Sequence, residues 1–173
     1  MGSNKAKMSR ANPQAEPQAL PLLFSFKQVI VGRGFVAGVR MNGRALLETE
    51  LVEGKEECWI TGIAPVGIVG GGADRSVAFS EFRKSWTEVV FDLAAQADDF
   101  KAFKVACLNF LRSSEDHLTK LWSDAVTEVR KSHYADPSLK SEKAEQRVTF
   151  EVVDLSKLNK DGNEVENGLR VAA

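Results

Sequence analysis

The sequence is poor in the residues that metal and redox sites need. Its 173 residues include two cysteines and two histidines, and their spacing fits no zinc pattern. Cys58 and Cys107 each lie in an apolar segment, so we expect buried free thiols, with a disulfide as the lesser alternative. Both histidines are expected at the surface. His117 is expected one turn inside a helix, on its polar side, and His133 just past the end of that helix. The sequence therefore predicts no metal and no cofactor.

Long apolar runs and an excess of one charge are also missing. No run approaches the ~18 apolar residues that a membrane-spanning helix needs, so no membrane association is expected. The 23 basic and 24 acidic residues give a net charge of −1, which leaves no general attraction for nucleic acid. The N-terminus lacks the apolar core of a secretory signal. We therefore expect a cytoplasmic protein for which nucleic-acid binding is unlikely.

Composition and patterning predict one α+β domain between two tails. Residues 1–21 are polar and contain three prolines, which predicts a disordered tail. Residues 22–155 hold the apolar patterns and are long enough for one core. Residues 156–173 are turn-like and are expected to form a loose C-terminal tail.

The first half of the domain predicts an antiparallel meander of three to four strands with one buried face. Asn42 and Gly43 form the strongest short hairpin signal in the chain, and Glu53, Gly54 and Lys55 form a second turn signal. The expected strands are rich in β-branched or aromatic residues, or alternate in polarity: residues 23–31, 35–41, 45–52 and 57–63.

The second half predicts helices that cover this meander. Residues 76–97 carry one broad apolar stripe, and Asp74 or Ser76 can cap the first turn. A second helix is expected from Asp98 and Asp99, and a third from Ser113 or Ser114. Residues 147–155 alternate in polarity and predict a late strand.

Two glycine-rich stretches are candidate ligand sites. Gly32, Gly34 and Ala37 fit a dinucleotide fingerprint, but the helix that it requires does not follow, so a bent hairpin is expected.

Gly70, Gly71 and Gly72 precede a helix and could present amides to an anion, with Arg75 as the nearby cation. The Lys-Ser/Thr of a phosphate loop is missing and Asp74 would repel phosphate. A flexible connection between sheet and helix is therefore the expected role, and nucleotide or small-ligand binding stays as an alternative.

No set of residues suggests catalysis, because no nucleophile stands beside a suitable base. The first two predicted strands carry no Asp or Glu, so the carboxylate pair of a metal-dependent nuclease is missing from them. Arg33, Arg40 and Arg44 lie on or beside the first hairpin and are candidates for contacting an acidic partner. With Arg130 and Lys131 they also give a second alternative, a nucleic-acid-binding regulator. The tryptophans, which belong to apolar periodic patterns, are expected as core or interface anchors: Trp59, Trp86 and Trp122.

The residues that follow the last strand of the meander resemble the HicB-like antitoxin family. Pro65-Val66-Gly67 stands where that family has a Pro-Gly-Cys-like turn. Gly72-Ala73-Asp74 and then Val77-Ala78 stand where it has Gly-x-Thr and a helix beginning near Glu-Ala. The resemblance covers about residues 24–97 and implies a partial ribonuclease-H-like fold that oligomerises through its sheet and neutralises a toxin-like ribonuclease. The family's DNA-binding tail is replaced here by two helices and a late strand.

These observations together lead us to expect a non-enzymatic protein-interaction module of the HicB-like kind. It is expected to form a homodimer and to neutralise or scaffold a protein partner, such as a toxin-like protein.

Overall fold

A computed structural model of the chain describes residues 19–136, 138–140, 143–144 and 148–157. Four strands are followed by three helices and a late strand, which confirms the α+β class: β1 Ala19–Gly32, β2 Phe35–Val52, β3 Lys55–Ala64, β4 Val69–Gly72, α1 Arg75–Gln96, α2 Phe100–Leu111, α3 Asp116–Ser132 and β5 Thr149–Asp154. Because β1 begins at Ala19, residues 19–21 belong to the sheet, and the first two residues of the expected C-terminal tail belong to a short 3-10 helix, Leu155–Lys157. The rest of both expected tails, residues 1–18 and 158–173, lies outside the described residues.

The strands form one antiparallel sheet in the order β1-β2-β3-β4, with β5 also paired to β2. The long strand β2 organises it: its first 14 residues pair with β1 along one side. On its other side, β5 pairs with residues 37–42 and β3 with residues 44–52. The expected late strand, β5, thus pairs with the part of β2 that β3 does not reach.

The hairpin expected at Asn42 and Gly43 is absent, because both residues lie inside β2. Gly43 pairs with Phe24, and a Cβ at Gly43 would come within 2.4 Å of the Phe24 ring. The glycine is thus used to make room for a core aromatic. The chain turns instead at Arg33 and Gly34, and at the expected second turn, where Glu53 has a φ of 51°. The two strands expected on either side of Asn42 are therefore one.

The glycine run is also a strand, rather than the flexible connection that the sequence suggests. Gly70, Gly71 and Gly72 pair with β3 as part of β4. A Cβ at Gly70 would lie 2.1 Å from the backbone nitrogen of Phe82 in α1. Only glycine allows a helix backbone to approach a strand this closely, so the run fixes α1 against the sheet edge.

The inner face of the sheet carries the main core. Trp86 and Phe82 of α1 and Phe103 of α2 are fully buried against it. Phe26 of β1 packs on both α1 aromatics, with ring centroids 5.9 Å from Phe82 and 6.2 Å from Trp86. The broad apolar stripe of α1 thus covers the sheet as the sequence predicts.

The outer face is covered by α3 over one part of its length. A smaller buried cluster forms there from Leu23, Leu46 and Ile63 of the sheet and Trp122, Ala125 and Val126 of α3. The guanidinium of Arg44 lies 4.6 Å from the centroid of the Trp122 ring, a cation–π contact.

Two of the three helices begin where the sequence predicts. Asp74 and Asp99 cap α1 and α2 by accepting hydrogen bonds from backbone amides three residues ahead. The third helix begins later than expected, at Asp116, with Glu115 in the cap position. Ser113 instead donates its hydroxyl to the carbonyl oxygen of Phe110 at the end of α2.

Candidate interaction surfaces

The Gly32-Arg33-Gly34 stretch is a tight turn between two strands. Gly34 has a φ of 73°, which favours glycine. Gly32 pairs with Phe35, and a Cβ at Gly32 would overlap the Phe35 ring. The stretch therefore has the geometry of the expected hairpin and lacks the strand-to-helix turn of a dinucleotide site, and it leaves Arg33 exposed at its tip.

At the Gly70–Gly72 stretch, the groups that an anion would use already have partners. The carboxylate of Asp74 accepts from the amide of Val77 at the start of α1. The guanidinium of Arg75 donates to the carboxylate of Asp136, which follows α3. The structure thus brings Arg75 to an ion pair that links α1 to the segment after α3.

Hydrogen bonds from Ser138 and from Arg75 lower the pKa of Asp136. Its pKa falls to about 2, because the Ser138 hydroxyl and then Arg75 donate hydrogen bonds to the ionised carboxylate, against the opposing effect of desolvation. The charged form is thereby held over the whole neutral and mildly acidic range.

The structure does not gather Arg33, Arg40 and Arg44 into one site. Arg40 and Arg44 share the outer face of β2 but lie about 13 Å apart along the strand, at ~3.3 Å per residue. Arg40 is exposed and lies directly opposite Lys27 of β1 and Glu151 of β5. Arg44 instead packs against the ring of Trp122. The three expected arginines therefore have different surroundings.

The thiols behave as expected for core residues. Cys58 and Cys107 are both free and buried. Burial raises the pKa of Cys107 to about 12, so the reactive thiolate is scarce at neutral pH. Within the part of the chain that the structure describes, no three metal-binding side chains come together.

Sequence reasoning missed an apolar surface at the β1–β2 turn end of the outer face. Val29 is 60% exposed and Val31 71% exposed. Val31 lies directly opposite Val36 of β2, and Val29 lies in the same cross-strand row as Val153 of β5. Both positions are beyond the part of the outer face that α3 covers. The signal is the uninterrupted run Val29-Ile30-Val31, because alternation in a strand forces such a run to place apolar side chains on both faces.

The same surface borders the outer edge of β1. Among the described residues, no strand pairs with this edge, although β1 is 14 residues long. Proline and lysine are the usual protection of an edge strand, and here they are Pro21 and Lys27. Both lie before Val29 and Val31, so the last part of the edge combines unpaired backbone groups with exposed valines.

A second uncovered surface lies at the other end of β2. We define the acidic ribbon as residues 48–59, which are the end of β2, the Glu53–Gly54 turn and the start of β3. It contains five glutamates and one lysine, a net charge of −4 in a chain whose net charge is −1. On its outer face Glu50 pairs with Glu57, and Glu48 pairs with Trp59.

The ring of Trp59 on this ribbon packs against a glycine of β4. A Cβ at Gly71 would come within 2.6 Å of the Trp59 ring, so the ring lies across the bare backbone of β4. The side chain is 37% exposed, whereas Trp86 and Trp122 are buried. Of the three expected anchors, two serve the core and one faces solvent.

Comparison with protein-family models, characterised proteins and solved structures finds no match to this chain. Among the described residues, no helix is long and apolar enough to cross a membrane.

Proposed function

We propose that this protein is a non-enzymatic protein-interaction module that forms a homodimer through β1 and binds a protein partner. One observation carries the proposal: among the described residues, no strand pairs with the last part of the β1 edge, and two exposed valines, Val29 and Val31, lie next to it. A second copy of the chain can satisfy both by pairing its own β1 edge and covering the valines.

The resemblance to HicB-like antitoxins supports the same type of role. It is carried by the turn at Pro65 to Gly67 and the glycine that leads into α1, and it implies oligomerisation through the sheet. A toxin-like protein is the kind of partner that this resemblance suggests.

The test is the mass of the full chain in solution, measured by size-exclusion chromatography with light scattering over a range of concentrations. We expect a dimer, and we expect Val29→Lys/Val31→Lys to convert it to a monomer, because two buried charges would oppose pairing of the edges. Val105→Lys provides the matched control, since Val105 is 50% exposed on α2, away from β1.

A wild-type chain that remains monomeric at the highest concentration would contradict the proposal. So would a dimer that Val105→Lys dissociates as readily as the double substitution does.

A further inference from the structure

We propose that the outer face of the acidic ribbon is a docking surface for a lysine- or arginine-rich segment of a partner protein. This inference deepens the proposed interaction role by giving the chemistry of the partner, and it uses a surface at the opposite end of β2 from Val29 and Val31.

Charge complementarity is the first reason. The ribbon concentrates a net charge of −4 in twelve residues. Across the described residues, none of its glutamates forms an ion pair. A cationic segment would therefore meet carboxylates that have no internal competitor.

The position of Glu50 and Glu57 is the second reason. They are direct cross-strand partners, and like charges in such a pair destabilise a ribbon. Their repulsion disappears when a cation lies between them, so binding of an arginine or lysine relieves a cost that the free protein carries.

The third reason is the surface next to these carboxylates. Trp59 presents a half-exposed ring beside Glu48 and Glu57, packed against the backbone of Gly71. A tryptophan face is the best aromatic partner for a guanidinium. Val52, which is 38% exposed and lies on the same outer face as Glu50, adds an apolar contact for the stem of a long cationic side chain.

The experiment uses a hexa-arginine peptide titrated into the full chain at low salt, followed by tryptophan fluorescence. Because Trp86 and Trp122 are buried, a change on binding reports mainly on Trp59. We expect saturable binding that weakens steeply with added salt.

The variant Glu50→Gln/Glu57→Gln should raise Kd by about tenfold, since it removes the two facing charges that charge-assisted contacts require. Its thermal stability should stay the same or rise, because the repulsion is removed, so a loss of binding is not a loss of folding. Trp59→Ala, measured by calorimetry, should weaken binding severalfold.

The matched control is Glu88→Gln/Asp92→Asn, which removes the same charge from exposed positions of α1 and should change Kd less than twofold. Equal weakening by both double variants would overturn the proposal, because it would mean general attraction to an acidic protein. Absence of binding at low salt would also overturn it.

The oligomeric mass of the Glu50→Gln/Glu57→Gln variant in solution gives a further check. If it differs from that of the wild-type protein, the docking proposal is overturned, because a second copy of the chain then occupies the ribbon. The proposed dimer through β1 is tested separately by Val29→Lys/Val31→Lys, and it does not depend on whether the peptide binds.

Discussion

The inner face of the sheet packs against α1 and α2 and carries the main core, whereas α3 covers only part of the outer face. The inner cluster joins aromatic residues from strands and helices, including Phe26, Phe82 and Trp86. The outer cluster is small and leaves Val29 and Val31 at one end and the acidic ribbon at the other. Packing is thus concentrated on one face, and the described residues leave much of the other face uncovered.

Removing one tryptophan from each face gives the largest expected difference. Trp86→Ala should lower the free energy of unfolding by about 3–5 kcal/mol, the usual cost of a large cavity in a core. Trp122→Ala should cost about 2 kcal/mol, because its cluster is smaller and lies nearer to solvent. Urea unfolding measures both, and equal losses would show that the two faces contribute alike.

Adding one methyl group to each face of β4 sharpens the comparison. Gly70→Ala points toward α1 and meets backbone, so we expect a loss of about 2–3 kcal/mol from overpacking. Gly71→Ala points to the outer face and meets the ring of Trp59, which can shift toward solvent, so about 1 kcal/mol or less is expected. The reverse order in thermal or chemical unfolding would contradict the position of α1 on this strand.

Asp136→Asn tests the ion pair that joins the start of α1 to the segment after α3. The folded pKa of about 2 lies below the ordinary value of 3.8, so the charged carboxylate stabilises the fold above about pH 4 and loses this effect as the pH falls toward 2. The melting temperature of the variant should be lower than wild type at pH 7, and the difference should vanish near pH 2. A constant difference would mean that Asp136 acts without its charge.

The smallest effect is expected at the uncovered valines. Val29→Thr and Val31→Thr keep the β-branched shape and remove little buried area, so the unfolding free energy of the monomer should change by less than about 0.5 kcal/mol. Measurements at a concentration below the dimer range isolate this effect. A larger loss would indicate that the outer face is covered within one chain.

Much of the fold could be predicted from local patterns, and the failures share one cause. The stripe of α1 and the caps at Asp74 and Asp99 depend on neighbours in sequence, so local reasoning found them. Asn42-Gly43 and Gly70–Gly72 look like turn and loop signals because glycine permits those conformations. Here glycine is needed for close approach of the Phe24 ring and of α1, which are distant in sequence.

The candidate surfaces were harder to predict than the fold. Arg33 was expected at a hairpin and lies at one, but no pattern shows that Arg44 sits under Trp122 or that Arg75 pairs with Asp136. These partners come from separate elements and meet only when the helices are placed on the sheet. The exposure of Val29 and Val31 has the same origin, since it depends on how far α3 reaches.

By itself, the sequence determined the class, the helix stripes, the buried thiols and the scarcity of metal-binding residues, because periodicity and composition carry this information locally. The tertiary structure decided that β2 runs through Asn42 and Gly43, that the glycine run is a strand beneath α1, and which parts of the outer face remain uncovered. The physical reason is that a glycine has no side chain, so the sequence pattern does not indicate which group packs against it. That group comes from an element far away in the chain, and its position depends on how the elements pack together.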